Sequence, residues 1–218
     1  MAGAQRNTTF SVGFQAAQPI GEFGQIYNGT PLGVSGNLMR PLSAVMPMEL
    51  GIGYSWNSMG TTSTDVSVFI GTDEAGDDIY ENGRLHLNSN SNRFQMLGRL
   101  RPFNGMIQPY GDLVAGVETF RTKTTIDIVT NTTGYSSGNN AETQQFDATA
   151  YYGWAAGLRL RLNPHLFLDM RFENLIGGTA TYVDNETVQL NSEDEILFET
   201  KTSKTDKYTY QIGLTLDF

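Results

Sequence analysis

Cysteine is absent from the 218 residues, which excludes disulfides, thiol catalysis and thiolate metal sites. Histidine occurs only as His86 and His165, so little imidazole is present for metal or proton chemistry. Basic charge is scarce: 14 Lys and Arg stand against 23 Asp and Glu, a net charge of -9. That balance argues against a nucleic-acid partner, which needs a basic patch. No run approaches the ~18 consecutive apolar residues of a membrane-spanning helix. Mean hydropathy is -0.30, a value that would suit a water-soluble chain. No secretion leader is visible, and Met1 to Gln5 reads as an initiator and a short remnant ahead of a mature chain. Helical periodicity is nearly absent as well.

What is present is alternation with a period of two. In Tyr208 to Phe218, Tyr208, Tyr210, Ile212, Leu214, Leu216 and Phe218 share one face, while Thr209, Gln211, Gly213, Thr215 and Asp217 share the other. A tilted strand of about ten residues crosses a bilayer. Seven further segments read the same way: Thr8–Gln18, Thr30–Arg40, Met48–Asn57, Leu87–Arg101, Ile107–Thr122, Thr143–Leu162 and Leu166–Tyr182. The connections alternate in length. Pro41–Pro47, Pro102–Gly105 and Asn163–His165 are short and rich in turn formers, whereas Pro19–Gly29, Ser58–His86, Lys123–Glu142 and Asp184–Asp206 are long and polar. The pattern predicts one all-β domain over residues 1–218: an eight-stranded antiparallel up-and-down transmembrane β-barrel with short periplasmic turns and long extracellular loops.

Alternation alone also suits a soluble, lipocalin-like barrel with its apolar face inward. Three features favour the membrane. The face opposite the apolar one carries Arg93, Arg99, Arg101, Arg159, Arg161 and Arg171 together with Glu49, Asp112, Glu118, Asp169, Glu173 and Asp217. In a narrow lumen these charges must pair, because unpaired buried charge is costly. Aromatic residues gather at strand ends: Tyr54, Trp56, Tyr152, Trp154, Tyr208 and Tyr210 toward the long loops, and Phe103, Phe167 and Phe218 toward the short turns. Two girdles at the lipid–water boundaries are expected from such placement. Finally, nearly every strand pairs one apolar face with one charged or small-residue face, leaving no conventional core.

Short motifs reinforce this reading. Tyr210, Ile212, Leu214, Leu216 and the terminal Phe218 resemble the C-terminal signal read by the barrel assembly machinery. Phe10-Ser11-Val12-Gly13-Phe14, Leu50-Gly51-Ile52-Gly53-Tyr54, Gln108-Pro109-Tyr110 and Ala156-Gly157-Leu158-Arg159-Leu160 resemble the small outer-membrane β-barrel domain family of the OmpA/OmpX type, common in Bacteroidota. The resemblance spans essentially the whole chain and implies the fold and the bacterial outer membrane, without assigning a role. Implied partners are outer-membrane lipid and lipopolysaccharide, the assembly machinery during biogenesis, and an envelope protein met through the extracellular loops. No cell-wall-binding domain is expected after Phe218.

Chemistry is sparse. His86 with Ser89 or Ser91 is the one arrangement of a base near a nucleophile, and the two-residue His-to-Ser spacing of the barrel deacylases is broken by Asn88. Acidic runs at Thr72–Glu81 and Asn191–Glu195 miss calcium-loop spacing and read as solvated loops. No catalytic residue, cofactor or metal is therefore expected. The expected function is a closed, salt-bridged barrel that acts as a structural or interaction protein through its loops. The alternative is a narrow pore or transport barrel, followed by a lipopolysaccharide-modifying enzyme or a soluble binder.

Overall fold

The computed structural model describes residues 8–27, 29–43, 46–72, 75–76, 78–128, 136–183, 189–190, 196–197 and 199–218. Its elements in chain order are β1 (Thr9–Pro19), α1 (Gly21–Ile26), β2 (Leu32–Pro41), β3 (Met48–Thr72), β4 (Asp78–Leu100), β5 (Ile107–Ile128), β6 (Ser136–Arg161), β7 (Leu166–Gly177), β8 (Thr179–Val183), β9 (Gln189–Leu190), β10 (Ile196–Leu197), β11 (Thr200–Lys204) and β12 (Lys207–Asp217). Eight strands close a barrel in the order β1-β12-β7-β6-β5-β4-β3-β2, with every neighbouring pair antiparallel. The first and last strands zip along Thr9↔Asp217 to Pro19↔Lys207, which removes any sheet edge from the wall.

The two faces are inside out relative to a water-soluble protein. Phe14, Leu32, Ile52, Phe94, Met96, Leu113, Tyr152 and Ile212 are all exposed on the outer wall. Among the described residues, six arginine and lysine side chains are buried. An apolar band of that extent around a closed barrel is tolerated only in hydrocarbon, since soluble monomers rarely expose contiguous apolar patches beyond a few hundred Å². Closed antiparallel barrels with this alternation are the outer-membrane solution to spanning a bilayer, because every backbone polar group is paired within the wall. No helix among the described residues is long and apolar enough to cross a membrane.

Short turns close the periplasmic end. Asn163 Oδ1 accepts from the backbone N–H of His165 (2.9 Å) and of Leu166 (2.8 Å), a side-chain turn that starts β7. At the other end the strands exceed the expected boundaries. At ~3.3 Å per residue and a tilt near 40°, the 25-residue β3 reaches roughly 60 Å along the axis, about twice the hydrocarbon core. Residues expected in the loops Ser58–His86 and Lys123–Glu142 largely continue as strand. The β3–β4 ladder runs on to Thr72↔Asp78 and the β5–β6 ladder to Ile128↔Ser136. A bulge between Ser58 and Gly60 marks the exit of β3 from the belt, and Gly60 takes φ 121, a conformation that favours glycine.

Two other loops also carry structure. Pro19–Gly29 holds α1, entered through Gly21 at φ 60. In Asp184–Asp206, β11 pairs with β8 from Thr200↔Val183 to Lys204↔Thr179. The expected seventh strand, Leu166–Tyr182, divides at Gly178: β7 belongs to the barrel, while β8 leaves it and packs over β5 and β6.

Candidate functional site

The barrel interior begins at the periplasmic end with two ion pairs. Arg101 donates to Glu49 Oε1 through Nε (2.8 Å) and Nη2 (2.5 Å), and to Gln108 Oε1 (2.6 Å). Arg159 pairs with Asp217, and its guanidinium lies 4.2 Å from the centroid of the Phe167 ring. The middle layer centres on Asp112. One oxygen of Asp112 accepts from Arg99 Nε (2.8 Å); the other accepts from Arg99 Nη2 (3.0 Å) and from Arg171. Arg171 in turn reaches Glu173 at 2.9 Å. Arg99 stacks 3.7 Å over the Tyr110 ring, and the Tyr110 hydroxyl donates to Asp169 (2.7 Å). Thr215 gives Asp169 a second hydrogen bond (3.0 Å), so this carboxylate is held by hydroxyls rather than by a described cation.

The upper layer links Arg93 to Glu173 (3.0 Å), Gln15 (3.0 Å) and Ser55 (2.9 Å). Lys207 donates to both oxygens of Glu118 at 2.5 Å. Among the described residues the lumen thus holds six cations (Arg93, Arg99, Arg101, Arg159, Arg171 and Lys207) and six carboxylates (Glu49, Asp112, Glu118, Asp169, Glu173 and Asp217). Neutrality matters here because each buried ion pair must offset its own desolvation.

Above the charges the interior turns apolar. Phe23 of α1 is 2% exposed and packs against Tyr182, Phe120 and Tyr27, with ring centroids 5.3, 6.2 and 5.7 Å away. Met59 and Ala180 complete the cluster. The Tyr27 hydroxyl donates to the Met59 carbonyl, and burial raises its pKa above the ordinary 10.0. The mouth is therefore stoppered by a helix from the first extracellular loop and by β8.

The structure places eleven of the twelve expected lumen charges inside. Arg161 is the exception. It ends β6, past the last β5–β6 rung at Ile107↔Leu160, and is exposed with Nη2 bonded to the Asn104 carbonyl (3.3 Å). Phe167 also departs from the expected place. It lies 1% exposed in the lumen under Arg159 rather than in the periplasmic girdle, because it shares the parity of Asp169 and Arg171. Lys207 was missed. It sits one residue before the expected strand, on the face of Thr209 and Asp217, so one more step of alternation would have found it. Tyr110 was missed too, since a tyrosine carries no charge signal of its own. Tyr54, Trp56, Tyr152, Trp154, Tyr210, Phe103 and Phe218 are exposed on the outside, with Tyr208 partly buried. Ile212, Leu214 and Leu216 are exposed on the same outer face of β12.

His86 and its two serines do not meet. His86 points to the outer side of β4, whereas Ser89 and Ser91 are buried on the inner side, bonded to Thr122 (2.9 Å) and Asn57 (3.4 Å). No cluster that could hold a metal occurs among the described residues. Most acidic residues of the two loop runs, Asp73, Glu74, Asp77, Glu193, Asp194 and Glu195, lie outside the described residues.

No protein-family model matches the chain, and no curated protein matches it by sequence. Solved structures do share its shape. A major outer membrane protein from Thermus thermophilus aligns over 97% of this chain and 99% of that one, at 10% identity and a TM-score of 0.53. The attachment invasion locus protein Ail of Yersinia pestis, solved with the heparin analogue sucrose octasulfate, aligns over 98% of this chain and 99% of that one, at 10% identity and a TM-score of 0.51. The outer membrane protease OmpT of Escherichia coli aligns over 100% and 98%, at 8% identity and a TM-score of 0.39. The first two likenesses, with TM-scores above 0.5, establish the fold: a small outer-membrane β-barrel.

Proposed function

We propose that the chain is a closed outer-membrane anchor that displays an extracellular β-sheet for protein binding. One observation carries the reading. Strands β3 to β6 continue past the aromatic belt as a four-stranded sheet. Among the described residues, no strand pairs with the outer margin of β3 beyond Ser58. Such margins offer unpaired N–H and C=O groups to an extended segment of a partner. The described stretch Thr61-Thr62-Ser63-Thr64-Asp65 contains no Lys or Pro, the residues that usually protect an edge.

The filled lumen and the stoppered mouth speak against a diffusion pore. The separation of His86 from Ser89 and Ser91 speaks against the one hydrolytic arrangement the sequence offered. The bound polyanion of the Ail structure does not transfer readily either, since this chain carries a net charge of -9. The likeness to Bacteroidota barrels rests on the short motifs quoted above.

The test compares surface-displayed protein with a variant in which Thr61–Leu87 is replaced by a two-residue turn, both probed on an array of purified extracellular proteins. Binding by the intact chain that disappears in the shortened one supports the reading. Binding that survives the deletion, or no binding by either, refutes it. Steady channel openings in planar bilayers would refute the closed barrel.

A further inference from the structure

The periplasmic floor of the lumen carries more donors than acceptors. Arg101 is bonded to Glu49, and Arg159 reaches Asp217 through Nη2. Among the described residues, Nε and Nη1 of Arg159 and Nη1 of Arg99 are buried with no hydrogen-bond partner. The side chains of Arg99 and Arg159 are 1% and 0% exposed, so bulk water does not reach them. Thr9 adds a fourth such group. It faces Asp217 across the β1–β12 ladder, is fully buried, and its hydroxyl has no partner. Unpaired buried polar groups are rare and costly, and several together point to an ordered water or a bound ion.

Charge decides between the two. Asp112 is divided between Arg99 and Arg171. Asp169 stands opposite Arg159 in the β6–β7 ladder, but its oxygens accept from Tyr110 and Thr215. The three guanidiniums of Arg99, Arg101 and Arg159 are therefore left with Glu49, Asp217 and a share of Asp112. Arg101 and Arg99 both act on Arg159 as like charges. The lumen is neutral as a whole and positive at its floor. Glu49 Oε2, the buried carboxylate oxygen without a partner, belongs to a group that Arg101 already bonds twice through Oε1.

Phe167 covers one face of the Arg159 guanidinium at 4.2 Å, so a ligand must approach the edge. On that edge Nε stands beside the Asp217-bound Nη2, which leaves Nη1 as the free corner. We propose that the floor of the lumen binds a chloride ion. The ion accepts from Nη1 of Arg159 and Nη1 of Arg99, with the Thr9 hydroxyl as a third donor. These donors come from β6, β4 and β1, so the ion ties together strands that are not neighbours in the wall. The inference rests on the closed barrel and is independent of any protein partner.

The detergent-folded barrel is unfolded by urea in sodium chloride, sodium bromide and sodium gluconate at equal ionic strength, which holds the screening of surface charge constant. Gluconate, a bulky organic anion, serves as the ion the floor does not admit. The variants are Arg159→Met, Thr9→Val and, as a control, Arg161→Gln, which removes an exposed cation at the same end. Crystals grown in bromide locate the ion by anomalous scattering in the unaltered chain, so the test does not depend on any variant folding.

The expected result is one bromide beside Nη1 of Arg159 and a higher unfolding midpoint in chloride and bromide than in gluconate. Above half-saturation, a tenfold rise in chloride raises the folding equilibrium constant about tenfold, because the ion binds the folded barrel alone. Arg159→Met abolishes that dependence, Thr9→Val shifts it to higher chloride, and Arg161→Gln leaves it unchanged. Equal stability in the three salts overturns the proposal, as does a floor that holds water only, with no anomalous signal. A chloride effect lost equally in Arg161→Gln assigns it to surface charge and also overturns it.

Discussion

Replacing Asp112 by alanine removes the acceptor shared by two buried arginines. Arg99 loses both of its bonds to the carboxylate, at 2.8 and 3.0 Å, and Arg171 loses one of its two ion pairs. Removing one member of a buried pair costs about 3–5 kcal/mol, because the remaining charge stays desolvated. Here one guanidinium is stranded and a second keeps one carboxylate partner, so the middle of that range applies, about 4 kcal/mol. With a urea slope near 2 kcal/mol per M, the unfolding midpoint of the detergent-folded barrel falls by about 2 M. Gel mobility and far-UV circular dichroism follow the transition. Replacing all three residues together, as Arg99→Met, Asp112→Leu and Arg171→Met, removes the charges along with their desolvation cost. That variant is expected to recover most of the loss. A midpoint shift below about 0.5 M for Asp112→Ala would refute the idea that the network, rather than the backbone ladder alone, holds the lumen together.

Gly157→Ala drives a Cβ into the Tyr110 ring, and the ring must leave Arg99 and Asp169. A loss of about 1–3 kcal/mol is expected by urea titration, whereas Gly98→Ala, with its nearest neighbour at 3.9 Å, stays within about 0.5 kcal/mol. Phe23→Ala empties the centre of the mouth cluster. It is expected to expose residues 20–27 to limited proteolysis while the barrel keeps its heat-dependent mobility. Burial raises the Tyr27 pKa above 10.0, so the stability it lends α1 is complete below pH 10 and is lost as pH rises through the raised value. Comparison with Tyr27→Phe by proteolysis between pH 8 and 12 checks that sign, and the variant should lose the alkaline step. Lys207→Met leaves Glu118 buried without its cation and lowers stability by about 3–5 kcal/mol in the same urea assay.

The membrane-crossing part of the molecule was legible because lipid on one side and a charged lumen on the other impose strict alternation. In β12, Tyr210 to Phe218 could be assigned to faces residue by residue, and Arg93, Arg99, Asp112 and Glu173 followed from the same parity. Above the belt the outer face loses lipid, and with it the reason for alternation. Thr61, Thr62, Ser63 and Thr64 carry no apolar period, although their backbone ladder with β4 continues unbroken. The β3–β6 extension therefore looked like loop. Helix α1 escaped notice for a related reason. It is six residues long, lacks a side-chain cap, and owes its position to Phe23 fitting a cluster drawn from β3, β5 and β8. The Arg161 error arose at a boundary, where parity still pointed inward and the rung to Phe167 of β7 persisted, but the β5 side of the wall had already ended.

The inside-out arrangement is tested most directly by the protein's own fluorophores. Trp56 and Trp154 are its only tryptophans, and both face outward at the level of the extracellular belt. The barrel is refolded into bilayers whose acyl chains carry bromine at a chosen depth. Strong quenching by bromines near the headgroups, weaker quenching by bromines at the bilayer centre, and little quenching by aqueous iodide are the predicted result. Emission indifferent to bromine at every depth would place both tryptophans inside a water-soluble core and contradict the membrane barrel.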